Sequence, residues 1–91
     1  MSKAYVIIYS RPGCHLCDDA KAAILSAGCS DQFLLEEINI ESSEELLSKY
    51  RYDIPVITID GAECFIHRVD PAEFRTRITR IKNGIRGGVL R

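Results

Sequence analysis

Apolar and polar positions along the chain fall into blocks whose period changes from one block to the next. The first block, AYVIIY at residues 4–9, is apolar throughout, the pattern of a strand covered on both faces near the middle of a sheet. It ends at Ser10, and the following SRPG breaks it. From Cys14 onward, Leu16, Ala20, Ala23, Ile24 and Ala27 recur at helical spacing with Gly28 behind them as a carboxyl cap, which predicts a helix of about fourteen residues. FLLEEINI at residues 33–40 reads as a second strand, and its two central glutamates put it in a more exposed position than the first. SSEELLSKYR carries the capping-box pattern, Ser42 with Glu45, and Leu46, Leu47 and Tyr50 give the short helix behind it a buried face. DIPVITIDGAECFIHR then holds two β-rich runs around Asp60-Gly61, a strong hairpin signal. The last helix opens with Asp70 as amino cap, Pro71 at the first helical position and Glu73 at the third. Phe74, Ile78 and Ile81 form its apolar stripe, and Gly84 marks its end. IRGGVLR, beyond it, has little periodicity and reads as a loose tail.

The order is therefore β-α-β-α-β-β-α. Helical crossovers make the first two strands parallel, the hairpin makes the last two antiparallel, and helices are available for both faces. The expected fold is α/β: a four-stranded mixed sheet flanked by helices. The first strand is central, the second lies at an edge, and the hairpin lies beyond the first on its other side. A chain of 91 residues with 46% apolar positions supports one modest core and is too short for two, so one domain is expected over residues 1–83, with residues 84–91 as the tail.

Composition changes this picture in two places. The net charge is −1, but residues 1–67 hold 5 basic against 11 acidic side chains and residues 68–91 hold 7 against 2. The basic carboxyl end reads as the solvated face of the last helix, where cations suit the helix terminus. No zinc-finger spacing, aromatic platform or Gly-rich phosphate loop accompanies it, so nucleic acid is not an expected partner. No run approaches the roughly twenty apolar residues of a membrane span, and the apolar run in MSKAYVIIYS is too short for the core of a signal peptide. A cytoplasmic monomer with no membrane partner is the expectation.

The second place is the four cysteines. In the cytoplasm structural disulfides are rare, so Cys14-His15-Leu16-Cys17 points to redox or metal chemistry. On the predicted map Cys14 stands at the amino end of the first helix and Cys17 one turn inside it. Free N–H groups and the helix dipole stabilise a thiolate there, and thiols so placed fall from about 8.5 to anywhere between roughly 3.5 and 7.5. Cys14 is thus the nucleophile, and Cys17 is the thiol that resolves a mixed disulfide. As an imidazolium, His15 would favour the thiolate; as a neutral exposed ring it merely fills the dipeptide. Asp18 and Asp19 suit the first helical turn but oppose a very low thiol pKa. Cys29 and Cys64 are expected to be free and without catalytic duty. The proposed fold does not bring the four thiols together, so no metal site is expected. His67 reads as a polar strand residue.

YSRPGCHLC after a central strand, with DIPVITIDG opening the hairpin, resembles the thioredoxin superfamily and, within it, the glutaredoxins and short glutaredoxin-like proteins, over residues 4 to 83. The resemblance implies a thioredoxin-like fold and thiol-disulfide oxidoreductase activity through Cys14 and Cys17. It implies no bound cofactor, with protein or small-molecule disulfides as substrates. It also implies a cis peptide bond at Ile54-Pro55, beside the cysteine pair, that turns the Ile54 backbone toward an extended substrate. Arg11, three residues before Cys14, matches the basic residue through which glutaredoxins hold glutathione. The stretch CFIHRVD departs from the family in lacking the glycine pair that usually follows the hairpin, although Asp70 remains as a cap. Reduction by glutathione and reduction by a thioredoxin system are both open on this ground. An iron-sulfur cluster-binding module, or a redox-inert interaction domain that kept the fold, are the alternative functions.

Overall fold

The structure is a computed structural model, described here for residues 3–82. Four strands and three helices follow in the expected order: β1 (Ala4–Ser10), α1 (His15–Ser26), β2 (Phe33–Asn39), α2 (Glu44–Tyr50), β3 (Val56–Ile59), β4 (Ala62–Ile66) and α3 (Pro71–Lys82). Two single-turn 3-10 segments, Ser30–Gln32 and Ile40–Ser42, bracket β2. The sheet order is β2-β1-β3-β4. β1 pairs parallel with β2 and antiparallel with β3, so the first strand is interior and the second is an edge, as the pattern predicts. The expected tail, residues 84–91, lies outside the described residues.

Side-chain alternation along β1 explains the layers. Ala4, Val6 and Ile8 point to one face and are essentially buried. They meet Phe33, Ile57, Ile59 and Phe65 from the other strands, Ala20 and Ile24 of α1, and Phe74 and Ile78 of α3. Phe74 sits edge-on to Phe33, with ring centroids 5.3 Å apart, a favoured aromatic geometry. Removing such a fully buried ring costs about 3–5 kcal/mol. The opposite face carries a smaller cluster of Ile40, Tyr50 and Val56 with Tyr9, Leu46, Leu47 and Ile54.

This second face corrects the reading of AYVIIY as buried on both sides. Tyr5 is 42% exposed and Ile7 is half-buried. α2 spans only Glu44–Tyr50, about 10 Å at 1.5 Å per residue, and it covers only the Tyr9 end of the strand. Full burial on both faces belongs instead to β3, all four of whose residues are buried.

Two further corrections are local. The amino cap of α2 is Ser43, whose hydroxyl accepts from the Leu46 N–H; Ser42 closes the preceding 3-10 turn. The extra turn shifts the helix start by one residue. In α1 the buried positions are Cys17, Ala20 and Ile24, whereas Leu16 is 41% exposed. Counting back from Ile24 in steps of four and three residues reaches Cys17 and not Leu16. The hairpin turn forms at Asp60 (φ 51°) and Gly61 (φ 89°), the left-handed pair that a two-residue loop requires. No helix among the described residues is long and apolar enough to cross a membrane.

Candidate active site

The parallel strands β1 and β2 end side by side, and the carboxyl ends of such strands are the usual place for chemistry in these sheets. Ser10 ends β1 opposite Asn39. Its hydroxyl donates to Glu37 Oε2 at 3.0 Å, and Lys21 Nζ reaches Glu37 Oε1 at 3.2 Å. Glu37 thereby ties the end of β1 to α1. The chain then turns through Gly13, at φ 78°, a left-handed conformation that a side chain would strain.

That turn delivers Cys14 to the amino cap of α1 in an extended conformation (φ −92°, ψ 108°). Its Sγ accepts a hydrogen bond from the Cys17 N–H at 3.1 Å, one of the donors that a helix start leaves unpaired. An N–H aimed at sulfur stabilises the thiolate over the thiol. Cys14 and Cys17 are joined in a disulfide with Cα atoms 5.2 Å apart, inside the range such bonds need. Burial separates the two sulfur-bearing residues: Cys17 is 2% exposed, while Cys14 is only half-buried.

Antiparallel pairing brings the second half of the site to the same end of the sheet. Tyr9 stands opposite Val56, so Pro55, one residue earlier, comes level with Ser10. The Ile54-Pro55 bond is cis, Pro55 is fully buried, and Ile54 packs on the Tyr9–Tyr50 cluster. His15 opens α1 and is exposed. The Arg11 side chain is 39% exposed and already paired: Nε and Nη2 both reach Glu41 Oε2, at 3.1 and 2.8 Å.

His67, read from the sequence as a polar strand residue, lies instead outside the strand. It sits just past β4 with φ 72°, a left-handed conformation uncommon for any residue but glycine, although histidine tolerates it better than most. Its N–H donates to the Pro55 carbonyl at 2.8 Å, and its Nε2 lies 3.2 Å from the Tyr52 carbonyl, a contact that needs the proton on Nε2. The signal was present in the missing glycine pair: a histidine standing in that stretch still meets a glycine-like backbone demand. Beside it runs a groove of about 270 Å³ between Leu16, Asp19 and Ala20 of α1 and residues 67–70. At its far wall Asp70 caps α3 through the Glu73 N–H.

The two remaining cysteines are free, Cys29 buried and Cys64 partly so. Burial pushes the Cys29 thiol up from its ordinary range, with Arg75 opposing and Asp31 reinforcing the rise. Among the described residues no group of three or more His, Cys, Asp or Glu could hold a metal ion.

Comparison with known proteins gives these features a context. Residues 5–79 match the Glutaredoxin-like domain (DUF836). A protein of Dictyostelium discoideum named as glutaredoxin-like is 40% identical over 68 residues, which cover 68% of this chain and 63% of that protein. This chain thus spans less than two thirds of that relative. Among solved structures, the structural-genomics target XcR50 from X. campestris superposes with a TM-score of 0.67 at 25% identity, over 78% of this chain and 91% of the other. A thioredoxin of Fasciola hepatica superposes with a TM-score of 0.56 at 19% identity, over 86% and 80% of the two chains, a likeness of fold alone.

Proposed function

The chain belongs to the Glutaredoxin-like domain family, within the thioredoxin superfamily, and from that premise we propose that it is a thiol-disulfide oxidoreductase acting on protein or small-molecule disulfides through Cys14 and Cys17. One observation carries the reading. A half-buried cysteine caps a helix, takes an N–H bond on its sulfur, and is disulfide-bonded to a buried cysteine three residues on.

In the reduced protein, the Cys14 thiolate attacks one sulfur of the substrate disulfide. The Cys14–substrate bond forms, the substrate S–S bond breaks, and one substrate thiolate leaves. Cys17 then loses its proton and attacks Cys14 Sγ, releasing the second thiolate and closing the Cys14–Cys17 disulfide. Two electrons pass from the dithiol to the substrate. Two electrons from an external thiol, glutathione or the dithiol of a thioredoxin, reopen the pair, and no bound cofactor enters the cycle. A reducing compartment such as the cytoplasm suits this chemistry. In this reading the backbone of Ile54 lines an extended substrate beside the buried Pro55, and the exposed His15 adjoins the nucleophile in the chain.

The test is a coupled assay. With a disulfide substrate present, the protein is supplied with either glutathione and its reductase or thioredoxin and its reductase, and NADPH consumption is followed. At least one arm is expected to run, and Cys14→Ser is expected to stop it. If neither arm runs and the chemically reduced protein leaves insulin and bis(2-hydroxyethyl) disulfide intact, the reading fails.

A further inference from the structure

We propose that Glu41 is a specificity-determining residue: it holds Arg11 in an internal ion pair and so sets the redox site's preference against anionic disulfides. The inference rests on the redox reading above and concerns which substrates reach Cys14.

Arg11 is the first residue of the four-residue segment between β1 and α1 that ends at Cys14, so it lies three residues from the nucleophile along the chain. A free guanidinium there would attract a substrate carboxylate and hold it by paired N–H bonds. In this chain Nε and Nη2 are both committed to one oxygen of Glu41, at 3.1 and 2.8 Å. An arriving anion must displace that carboxylate or settle for the weaker field of a neutral pair.

Glu41 is held in place from its backbone, which makes it a built-in ligand and not a passing surface contact. The parallel register sets Asn39 opposite Ser10, so the chain leaves β1 toward Arg11 and β2 toward Glu41 side by side. The Asn39 side chain accepts the Glu41 N–H at 2.8 Å, the Ser43 N–H returns to the Ile40 carbonyl, and Ile40 is fully buried. A 3-10 turn anchored by a core isoleucine therefore presents the carboxylate. Asp18 and Asp19, both exposed in the opening turns of α1, add negative charge on the helix that carries the nucleophile.

The side chains of the pair are 39% and 43% exposed, so solvent screens it, and exposed pairs of this kind carry a coupling equivalent to about a twofold to fivefold change in an equilibrium or rate. The effect is a bias among substrates and not a barrier.

Stopped-flow exchange of the reduced protein with three small disulfides tests the idea: cystamine (cationic), bis(2-hydroxyethyl) disulfide (neutral) and 3,3′-dithiodipropionate (anionic). Leaving-group reactivity differs among the three but cancels when each variant is divided by the wild type. Glu41→Gln is expected to raise the anionic-to-neutral rate ratio by about twofold to fivefold, with a smaller gain at high salt. In the double variant Arg11→Gln/Glu41→Gln the gain is expected to disappear. An unchanged ratio in Glu41→Gln, or a gain that survives loss of Arg11, would overturn the role of Glu41 while leaving exchange with the neutral disulfide intact. Exchange with none of the three would overturn the redox reading itself, and this inference with it.

Discussion

The backbone N–H of His67 donates to the carbonyl of Pro55 at 2.8 Å, which binds the exit from β4 to the entry of β3. The ring of the same residue reaches the Tyr52 carbonyl. A single residue in a left-handed conformation therefore holds both ends of the segment from Tyr52 to Pro55.

His67 gives a backbone prediction. His67→Gly removes the ring contact but also the cost of a side chain at φ 72°, and these oppose each other at about 1 kcal/mol apiece. Its unfolding midpoint in urea is expected to stay close to wild type. His67→Val places a β-branched side chain at the same φ and is expected to lose about 1–3 kcal/mol. Equal losses in the two variants would mean that the ring contact, and not the backbone, governs this position.

The two cysteines of the proposed redox pair differ in exposure, and their single variants should differ in kind. Cys17→Ser keeps the attacking sulfur and lacks the resolving one, so a mixed disulfide with glutathione or substrate should accumulate on Cys14 and appear in the intact mass. Cys14→Ser should form no such adduct at the buried Cys17. Thiolate absorbance in the ultraviolet should also show Cys14 ionising at lower pH than Cys17, because only Cys14 sits at the unpaired N–H groups of the helix start. The opposite order would reverse the assigned roles.

Cys29 and Cys64 should react at very different rates in the oxidised protein. Cys29 is 0% exposed, and burial raises its thiol pKa, so both access and thiolate fraction are low. Under native conditions one equivalent of iodoacetamide should label Cys64 before Cys29, with peptide mapping as the readout. Cys29 should become reactive only in denaturant.

Tyr50 links α2 to the hairpin. Its hydroxyl donates to Glu63 Oε2 at 3.0 Å and its ring lies 4.8 Å from that of Tyr9. Burial first, then the bond to Glu63, raises its phenol pKa. Because the unfolded phenol releases its proton first, the folded state holds more protons across that interval and stability falls as pH rises. The contribution is complete below about pH 10, the unfolded value, and is lost as pH climbs through the folded one. Tyr50→Phe should cost about 0.5–1.5 kcal/mol at neutral pH and should flatten the alkaline part of a urea-stability profile. An unchanged alkaline slope would assign that loss to other groups.

The strands and helices of this protein are legible in its sequence because each carries its own period and its own punctuation. AYVIIY, the Asp60-Gly61 turn and the Asp70-Pro71 helix start depend on residues next to one another, and local sterics and hydrogen bonding settle them before any packing. The cysteine pair is legible for the same reason: three residues of spacing at a helix start define its geometry. Which sides of the strands are covered was decided only in three dimensions. The face of β1 that carries Tyr5 stays open because α2 is short, and α2 starts at Ser43 because a 3-10 turn intervenes. Two contacts at the site are likewise tertiary, since Arg11 and Glu41 are 30 residues apart and His67 and Tyr52 are 15 apart. Register carries those meetings: parallel pairing of β1 with β2 sets the first, and the hairpin sets the second. No period in the sequence encodes a register, because it is the packing of whole faces that selects it.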